Sequence, residues 1–267
     1  MIAATFPKPA QTRMADQLWP MAGFALALGV MAAAAMVVDG RILDGANVWA
    51  KPLKFATSFV VYFTTLALVT DRLGATARTG WTLRIAVAAA IVAMLGEMAY
   101  ISFMAGLGAR SHFNFSAPIF VTMYQIMGLG SLMLVLAVAA VGVVAWRDRD
   151  AAMGPGLRLG VLTGFVGSTL LTLITAGALS GNSGHFVGVP TEGAAVLPLF
   201  GWSASVGDLR PAHFLALHMM QAVPLLGLAV DRLGLGRAAV LPGVLAYAAL
   251  TGAVFWQALL GLPLIRL

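Results

Sequence analysis

A polar stretch from Asp208 to Gln221 stands out in a chain that is otherwise strongly hydrophobic. It contains Asp208, Arg210, His213, His218 and Gln221 within about four turns of a helix. Carboxylate and imidazole groups can exchange protons with a substrate or bind a transition metal. Because polar groups are costly in hydrocarbon, those found inside membrane segments commonly serve a function. This stretch is therefore the first candidate site.

A further carboxyl group, Glu97, lies inside another hydrophobic run. A carboxyl group in that position must be neutral or must have a cation or a metal ion as its partner. We therefore predict that Glu97 and His218 act as general acid and base. Three glutamines at a similar depth are predicted to line the same cavity and bind substrate: Gln125, Gln221 and Gln257. Hydrogen bonding between helices is the alternative role for these amides.

The other histidines predict a shallower layer that binds a metal ion. His213 and His218 are five residues apart, roughly 140° around a helix, so they do not share one ion. The predicted ligands lie on loops and a helix end at the membrane surface: His112, His185, His213 and Asp208. Zinc, iron or copper suits such a set. Haem held by two histidines is one alternative, and an ordinary structural role for each histidine is another.

Basic residues at the starts of two hydrophobic runs are predicted to bind the substrate. Lys51 and Lys54 lie one helical turn apart at the start of one run, and Arg210 begins a later run. The start of a helix carries partial positive charge, which favours phosphate or carboxylate groups. The alternative is that both lysine side chains extend towards lipid headgroups.

The composition identifies an integral membrane protein. Of the 267 residues, 60% are hydrophobic and 10% are charged, whereas about a quarter are charged in a soluble domain. The net charge of +6 arises in short loops between hydrophobic runs, so orientation in a membrane explains it better than binding of nucleic acid. The absence of cysteine excludes disulfides, thiolate metal ligands and iron–sulfur clusters.

Seven hydrophobic runs are long enough to cross a hydrocarbon core about 30 Å thick. A helix satisfies its own backbone hydrogen bonds, so each run is predicted to be helical. The predicted fold is an all-α integral membrane protein with seven transmembrane helices. The runs are Leu18–Val38, Pro52–Thr70, Ile85–Ala105, Pro118–Trp146, Leu159–Leu179, Pro211–Val230 and Ala239–Leu260.

Ten of the 16 Lys and Arg residues fall on one side of these runs. Basic residues are enriched on the cytoplasmic side of membrane proteins. This bias predicts a protein of the bacterial inner membrane with its N-terminus in the cytoplasm and its C-terminus outside. Residues 1–17 are predicted to form a cytoplasmic tail and residues 18–267 a single domain. The longest outer loop, 180–210, is predicted to be functional.

The sequence also indicates an internal repeat. The segment Lys51–Phe55 (KPLKF) opens the second run and resembles Arg210–Phe214 (RPAHF), which opens the sixth. The same tetrapeptide, Asp-Arg-Leu-Gly, ends both runs, at Asp71–Gly74 and Asp231–Gly234. A parallel 3+1+3 arrangement would follow, in which the fourth run joins two copies, as in some transporters. A chance match is the alternative.

Several motifs resemble those of a family of uncharacterised bacterial multispanning membrane proteins. They are KPLKF at 51–55, SHFN at 111–114, GHFVG at 184–188, GWS at 201–203 and GDLRPAHFLALHMMQ at 207–221. The resemblance covers most of the chain and implies a multispanning protein, but it implies no particular activity.

Three functional hypotheses follow from these residues. The first is a membrane-embedded enzyme with an outward-facing, metal-assisted site that acts on a lipid or other apolar substrate. A haem-binding electron-transfer protein is the second, and a small-solute transporter or ligand-binding module is the third. The expected partners are the lipid bilayer and a lipid or apolar small molecule, and no nucleic acid.

Overall fold

The computed structural model describes residues 14–182, 184–190, 193–198 and 200–266. Within these residues, seven helices are long and apolar enough to cross a membrane. The predicted all-α, seven-helix fold is therefore confirmed. Residues 1–13 of the predicted tail, 1–17, lie outside the described residues. Met14–Gln17 forms a 3-10 turn before the first helix.

The spanning helices follow the seven predicted runs closely. They are α1 (Leu18–Val38), α2 (Ala50–Thr70), α4 (Trp81–Gly106), α5 (Pro118–Arg147), α6 (Pro155–Gly181), α7 (Arg210–Arg232) and α8 (Val240–Leu259). A short helix, α3 (Ala75–Thr79), lies between α2 and α4, and a 3-10 turn at Arg237–Ala239 precedes α8. Helix α7 continues through Pro224.

Some helices begin earlier than hydropathy predicts, because charged residues fit into their first turns. Helix α4 begins at Trp81 rather than Ile85, and the Arg84 guanidinium lies 5.3 Å from the centre of the Trp81 ring. Helix α2 begins at Ala50 and includes Lys51 and Lys54. Long basic side chains can leave hydrocarbon at a helix end while their stems stay against apolar surface. Mean hydropathy therefore underestimates the length of such helices.

Helices α6 and α7 approach each other most closely, and glycines permit this approach. A Cβ atom at Gly156 would lie 2.7 Å from the Gly227 carbonyl oxygen, and one at Gly160 would lie 2.8 Å from the Val223 carbonyl oxygen. Gly164, four residues further, would place a Cβ 2.8 Å from Pro224. Small residues at every fourth position form a flat stripe against which a second helix can pack within a membrane.

The two predicted copies use their final aspartates in the same way. The Trp19 side chain, at the start of α1, donates a hydrogen bond of 2.8 Å to Asp71 at the end of α2. The backbone N–H groups of Gly156 and Leu157, at the start of α6, donate bonds of 2.7 and 2.8 Å to Asp231 near the end of α7. In both predicted copies, the end of the second helix (α2 or α7) therefore contacts the start of the first helix (α1 or α6). The donors differ, an indole N–H in the first copy and two backbone N–H groups in the second, so the repeat stays a prediction.

The loops divide between two faces of the bundle. The face with loops 39–49, 107–117, 182–209 and 260–266 is called the histidine side, and the face with loops 71–80, 148–154 and 233–239 is called the arginine side. On the histidine side, a small hairpin pairs β1 (Ile42–Leu43) with β2 (Ala46–Asn47). A second pair joins β3 (Phe186–Val187) to β4 (Gly207–Asp208).

We expect Asp231→Ala to destabilise the α6–α7 pair. The carboxylate accepts two backbone hydrogen bonds at the start of α6, where N–H groups have no partner within the helix. Loss of a charged acceptor from such groups costs about 1–3 kcal/mol. Thermal unfolding of the detergent-solubilised protein measures the effect. Asp150→Ala, at an exposed loop position, is the control, and equal destabilisation by both substitutions would contradict this account.

Candidate functional site

The Glu97 carboxyl group lies buried between α4 and α5 on the histidine side of the bundle. Its side chain is 2% exposed. The Ser131 hydroxyl on α5 donates a hydrogen bond of 3.2 Å to Glu97 Oε1. The other oxygen, Oε2, is buried and has no hydrogen-bond partner among the described residues. Gly130 on α5 also faces this carboxyl group, since a Cβ atom there would lie in ordinary van der Waals contact with Oε1, at 3.5 Å.

Among the basic side chains of the described residues, His112 lies within 4 Å of the unpartnered oxygen. Its Nε2 lies 3.8 Å from Glu97 Oε2, beyond hydrogen-bond distance, and its Nδ1 lies 3.2 Å from the Ser111 hydroxyl. The imidazole ring packs between Phe55 on α2, at 5.8 Å, and Tyr124 on α5, at 6.2 Å. Loop 107–117 thus carries His112 back over the ends of α2, α4 and α5.

His112 is neutral at physiological pH. Burial chiefly, together with the neighbouring Lys51 and His185, lowers the pKa of His112 to about 3. The ordinary pKa of histidine is about 6.5. His112 and Glu97 therefore do not form an ion pair, and the atoms that face each other are too far apart for a hydrogen bond. One ring nitrogen of a neutral imidazole is an acceptor, so His112 can accept a hydrogen bond or a proton from a bound molecule.

Lys51 supplies a positive charge beside this pair. It lies in the first turn of α2, and its Nζ atom is 5.9 Å from the centre of the Phe55 ring. Its charge contributes to the lowered pKa of His112, of His185 and of Asp44 in the β1–β2 hairpin. The Lys51 ammonium group therefore acts on residues of three different loops, those that contain Asp44, His112 and His185. Among the described residues, no hydrogen bond or ion pair engages Nζ.

His185 lies at the same side in loop 182–209. The Phe113 ring meets it edge-on, with ring centres 5.0 Å apart. Burial chiefly, together with the positive charge of Arg210, lowers the pKa of His185 to about 4. Its Nδ1 atom is buried and has no hydrogen-bond partner among the described residues. Phe113 has a φ of 53°, a strained value for a bulky residue that commonly marks a functional segment.

Asp208 and Arg210 bind each other and stabilise the loop, so the Asp208 carboxylate is not free to bind a metal ion. The Asp208 side chain is fully buried and accepts bonds from Arg210 of 2.9 Å and 2.6 Å. It also accepts a bond of 2.9 Å from the Ser203 backbone N–H. Arg210 in turn donates to the Gly201 carbonyl oxygen at 2.8 Å. Both carboxylate oxygens are therefore occupied, and they hold loop 182–209 against the start of α7.

His213 and His218 face different partners, as their spacing predicts. His213 Nδ1 lies 3.0 Å from the Thr175 hydroxyl on α6. His218 Nδ1 lies 3.1 Å from Gln221 Oε1, and Gln221 Nε2 donates a bond of 3.1 Å to the Thr65 hydroxyl on α2. Gln221 therefore links α7 to α2, which is the alternative role considered for the glutamines. Among the described residues, Glu97 contacts His112 and not its predicted partner His218.

The other predicted binding residues lie apart from the Glu97–His112 pair. Gln257 donates hydrogen bonds of 2.6 and 3.4 Å to the Pro263 and Leu264 carbonyl oxygens, and so holds the turn after α8. Lys54 donates a bond of 3.3 Å to the Phe200 carbonyl oxygen. Gln125 is exposed. Of the predicted substrate-binding residues, Lys51 alone has an electrostatic contact with this pair.

The described residues contain no group of three or more His, Asp or Glu side chains that could hold a metal ion. The reason is visible in the partners of the predicted ligands. The oxygens of Asp208 bind Arg210, and Nδ1 of His213 lies at the Thr175 hydroxyl. The arrangement therefore does not fit the predicted four-ligand metal centre, and no chemical step is derived through a metal.

Sequence reasoning did not single out the groups that complete this site. Ser131, Phe55, Phe113 and Tyr124 are ordinary residues in a hydrophobic chain. One signal pointed to Ser131: it ends the segment Gly128-Leu-Gly-Ser131, and small residues within a span indicate close approach of another helix. Phe55 and Phe113 fall within the KPLKF and SHFN motifs, but nothing in the sequence indicated that their rings, or that of Tyr124, would pack on the histidines.

No protein-family model, curated protein or solved structure matches the chain.

We expect the protein to lose stability as the pH falls from about 6.5 towards 4. The unfolded chain protonates its histidines near pH 6.5, whereas the pKa values of His112 and His185 in the folded protein are about 3 and 4. The unfolded state therefore binds more protons in this window, and the free energy of unfolding falls. Thermal unfolding midpoints in detergent at pH 7 and pH 4.5 measure the loss.

The double substitution His112→Gln and His185→Gln should reduce this pH dependence. Asp44→Asn is the matched control, because Arg110 lowers the pKa of Asp44 below its usual value and that carboxylate keeps its charge throughout the window. An unchanged pH dependence in the double variant would show that these imidazoles are not the buried neutral groups.

Proposed function

We propose that the protein is an enzyme of the bacterial inner membrane in which Glu97 and His112 act as acid and base on a lipid or other apolar substrate. The proposed orientation places the histidine side outside, the N-terminus in the cytoplasm and the C-terminus outside. The excess of basic residues predicted for the arginine side supports this orientation.

The unpartnered Oε2 atom of Glu97 is the observation that carries the proposal. A buried polar atom without a hydrogen bond costs about 1–3 kcal/mol, and a carboxyl group in a membrane segment is unfavourable for the same reason. A seven-helix protein has no structural need for that cost. The gap of 3.8 Å to His112 Nε2 instead suits a site whose hydrogen bonds are completed by a bound substrate.

The pair supports a proton transfer that balances without another reactant. With Glu97 as the carboxylic acid, its proton goes to one atom of the substrate while His112 Nε2 takes a proton from another. The products of this step are a carboxylate and an imidazolium. Lys51 stabilises the carboxylate, because its positive charge acts on Glu97. Return of the proton from His112 to Glu97 then restores both groups. Proton-shift isomerisation and elimination are the reaction classes that this pair supports.

The surroundings of the pair indicate the substrate class. Phe55 and Tyr124 pack on His112, and Phe113 packs on both Tyr124 and His185. Such aromatic walls favour an apolar molecule with a few fixed polar contacts. The Nδ1 atom of His185 and the ammonium group of Lys51 are available for a polar or anionic group. A lipid that enters from the outer leaflet would meet both environments.

We expect Glu97→Gln and His112→Asn each to reduce turnover about 10²–10⁴-fold, the usual contribution of one general acid or base. Purified protein is reconstituted in liposomes of bacterial polar lipid extract supplemented with an apolar extract of bacterial membranes. Mass spectrometry then compares the lipids before and after incubation. Thr122→Ala is the control, because this exposed hydroxyl bonds only to its own helix on α5.

Conversion that persists unchanged in both Glu97→Gln and His112→Asn would refute the acid–base assignment. A visible Soret band in the purified wild-type protein would favour the haem-binding alternative instead. Stoichiometric zinc, iron or copper that is lost in His112→Asn would show that metal assistance belongs to the mechanism after all.

A further inference from the structure

A cavity lies on the arginine side of the bundle, apart from the Glu97–His112 site. It has a volume of about 260 Å³ and lies between α2, α6 and α7. Its α2 wall includes Thr65, Leu68 and Arg72, and its α7 wall includes Gln221, Leu225 and Leu228. Positions three and four apart share one face of a helix, so each helix turns one face to the cavity. This cavity is called the inner slot.

The inner slot is closed at one end and charged at the other. The hydrogen bond from Gln221 Nε2 to the Thr65 hydroxyl, 3.1 Å long, joins α7 to α2 at the deep end. Arg72 lies at the other end, two residues beyond the end of α2. Seven residues separate Thr65 from Arg72, which corresponds to about 10 Å along a helix. The slot therefore runs from the membrane surface through about a third of a ~30 Å hydrocarbon core.

Arg72 keeps a charge available at the mouth of the slot. Its guanidinium donates a hydrogen bond to the Leu68 carbonyl oxygen one turn earlier. No carboxylate among the described residues forms an ion pair with it. At the end of a spanning helix, such a group lies at the depth of lipid headgroups, where arginine attracts phosphate.

We propose that the inner slot holds one acyl chain of an anionic phospholipid from the adjacent leaflet, with its phosphate at Arg72. This goes beyond the proposed reaction, which takes place at the opposite side. Apolar side chains line most of the slot, in keeping with a hydrocarbon chain. A transmembrane helix from a second copy fits poorly, because it is about 10 Å wide and needs the full ~30 Å thickness of the core.

Native mass spectrometry of the purified full-length protein tests the proposal with two lipids that have identical acyl chains. Dioleoyl phosphatidylglycerol carries a net negative charge, whereas dioleoyl phosphatidylcholine carries none. We expect the wild-type protein to bind the anionic lipid roughly fivefold more tightly, the effect of one basic residue near a membrane surface. Arg72→Gln should abolish this preference. Arg237→Gln, at an exposed position on the same side, should retain it.

Leu225→Trp tests the place of the acyl chain. Leu225 lines the slot and is 65% exposed, so a larger side chain can fill the space without disturbing the core. We expect weaker binding of both lipids, by about fourfold for each methylene group that the indole displaces. Leu68→Trp, on the opposite wall and 46% exposed, provides a second slot-filling variant if the first unfolds early.

Full lipid preference in Arg72→Gln, or unchanged lipid binding in both tryptophan variants, would overturn the proposal. A wild-type dimer that Leu225→Trp dissociates would identify a second copy as the occupant and would overturn it as well. Turnover at the Glu97–His112 site is measured on the same variants. Loss of lipid preference with unchanged turnover would separate this proposal from the proposed enzymatic function.

Discussion

Polar side chains within the bundle must find partners because hydrocarbon offers none, and this constraint determines how the helices meet. The Tyr62 hydroxyl donates to the Leu134 carbonyl oxygen and so joins α2 to α5. The Ser168 hydroxyl, on α6, donates to the Ala216 carbonyl oxygen on α7, and Tyr247 joins α8 to α7 at Leu215. Each bond crosses between two helices. Against this background, three buried side-chain oxygens within the described spans lack a hydrogen-bond partner, those of Glu97, Tyr100 and Thr172, and of these three residues Glu97 alone carries a carboxyl group.

The histidine side is built to hold loop residues at fixed positions. Asp39 accepts a hydrogen bond of 2.9 Å from Arg41 Nε and one of 2.8 Å from Trp49 Nε1. These bonds lock the segment between α1 and α2, as the Asp208–Arg210 pair locks the longest loop. Because both frames are rigid, His112 and His185 can be held in buried, neutral forms. A preorganised pair of this kind loses little entropy when a substrate binds.

The Glu97–His112 site and the inner slot differ in position and in chemistry. The Glu97–His112 site combines titratable groups, aromatic walls and the Lys51 charge, which suits proton transfer. The inner slot is apolar and ends at a single guanidinium, which suits anchoring. The Gln221–Thr65 bond lies at the deep end of the slot, where it joins α7 to α2. Leu157 and Val161 of α6 line the third side of the slot.

The sequence alone determined which segments cross the membrane and how deep each polar residue lies, because both depend on hydrophobic length along one axis. It therefore placed Glu97 and His112 towards the same side and identified Lys51 as a candidate cation. It also excluded a shared ion for His213 and His218, since their angular separation follows from helix geometry. The fold class, the seven spans and the ends of most helices were predictable on these grounds.

Only the tertiary structure decided which groups meet, because hydropathy carries no information about rotation around a helix axis or about lateral neighbours. Glu97 faces His112 because α5 turns Ser131 and Gly130 towards it, whereas His218 faces Gln221 and Thr65. Asp208 binds Arg210 because loop 182–209 folds back on the start of α7. Gln257 reaches the C-terminal turn and Gln125 is exposed, although both lie at a depth that suited a cavity. The depth of a residue in the membrane follows from the hydrophobic pattern of the sequence. The residues that it contacts depend on how the helices pack side by side in the plane of the membrane.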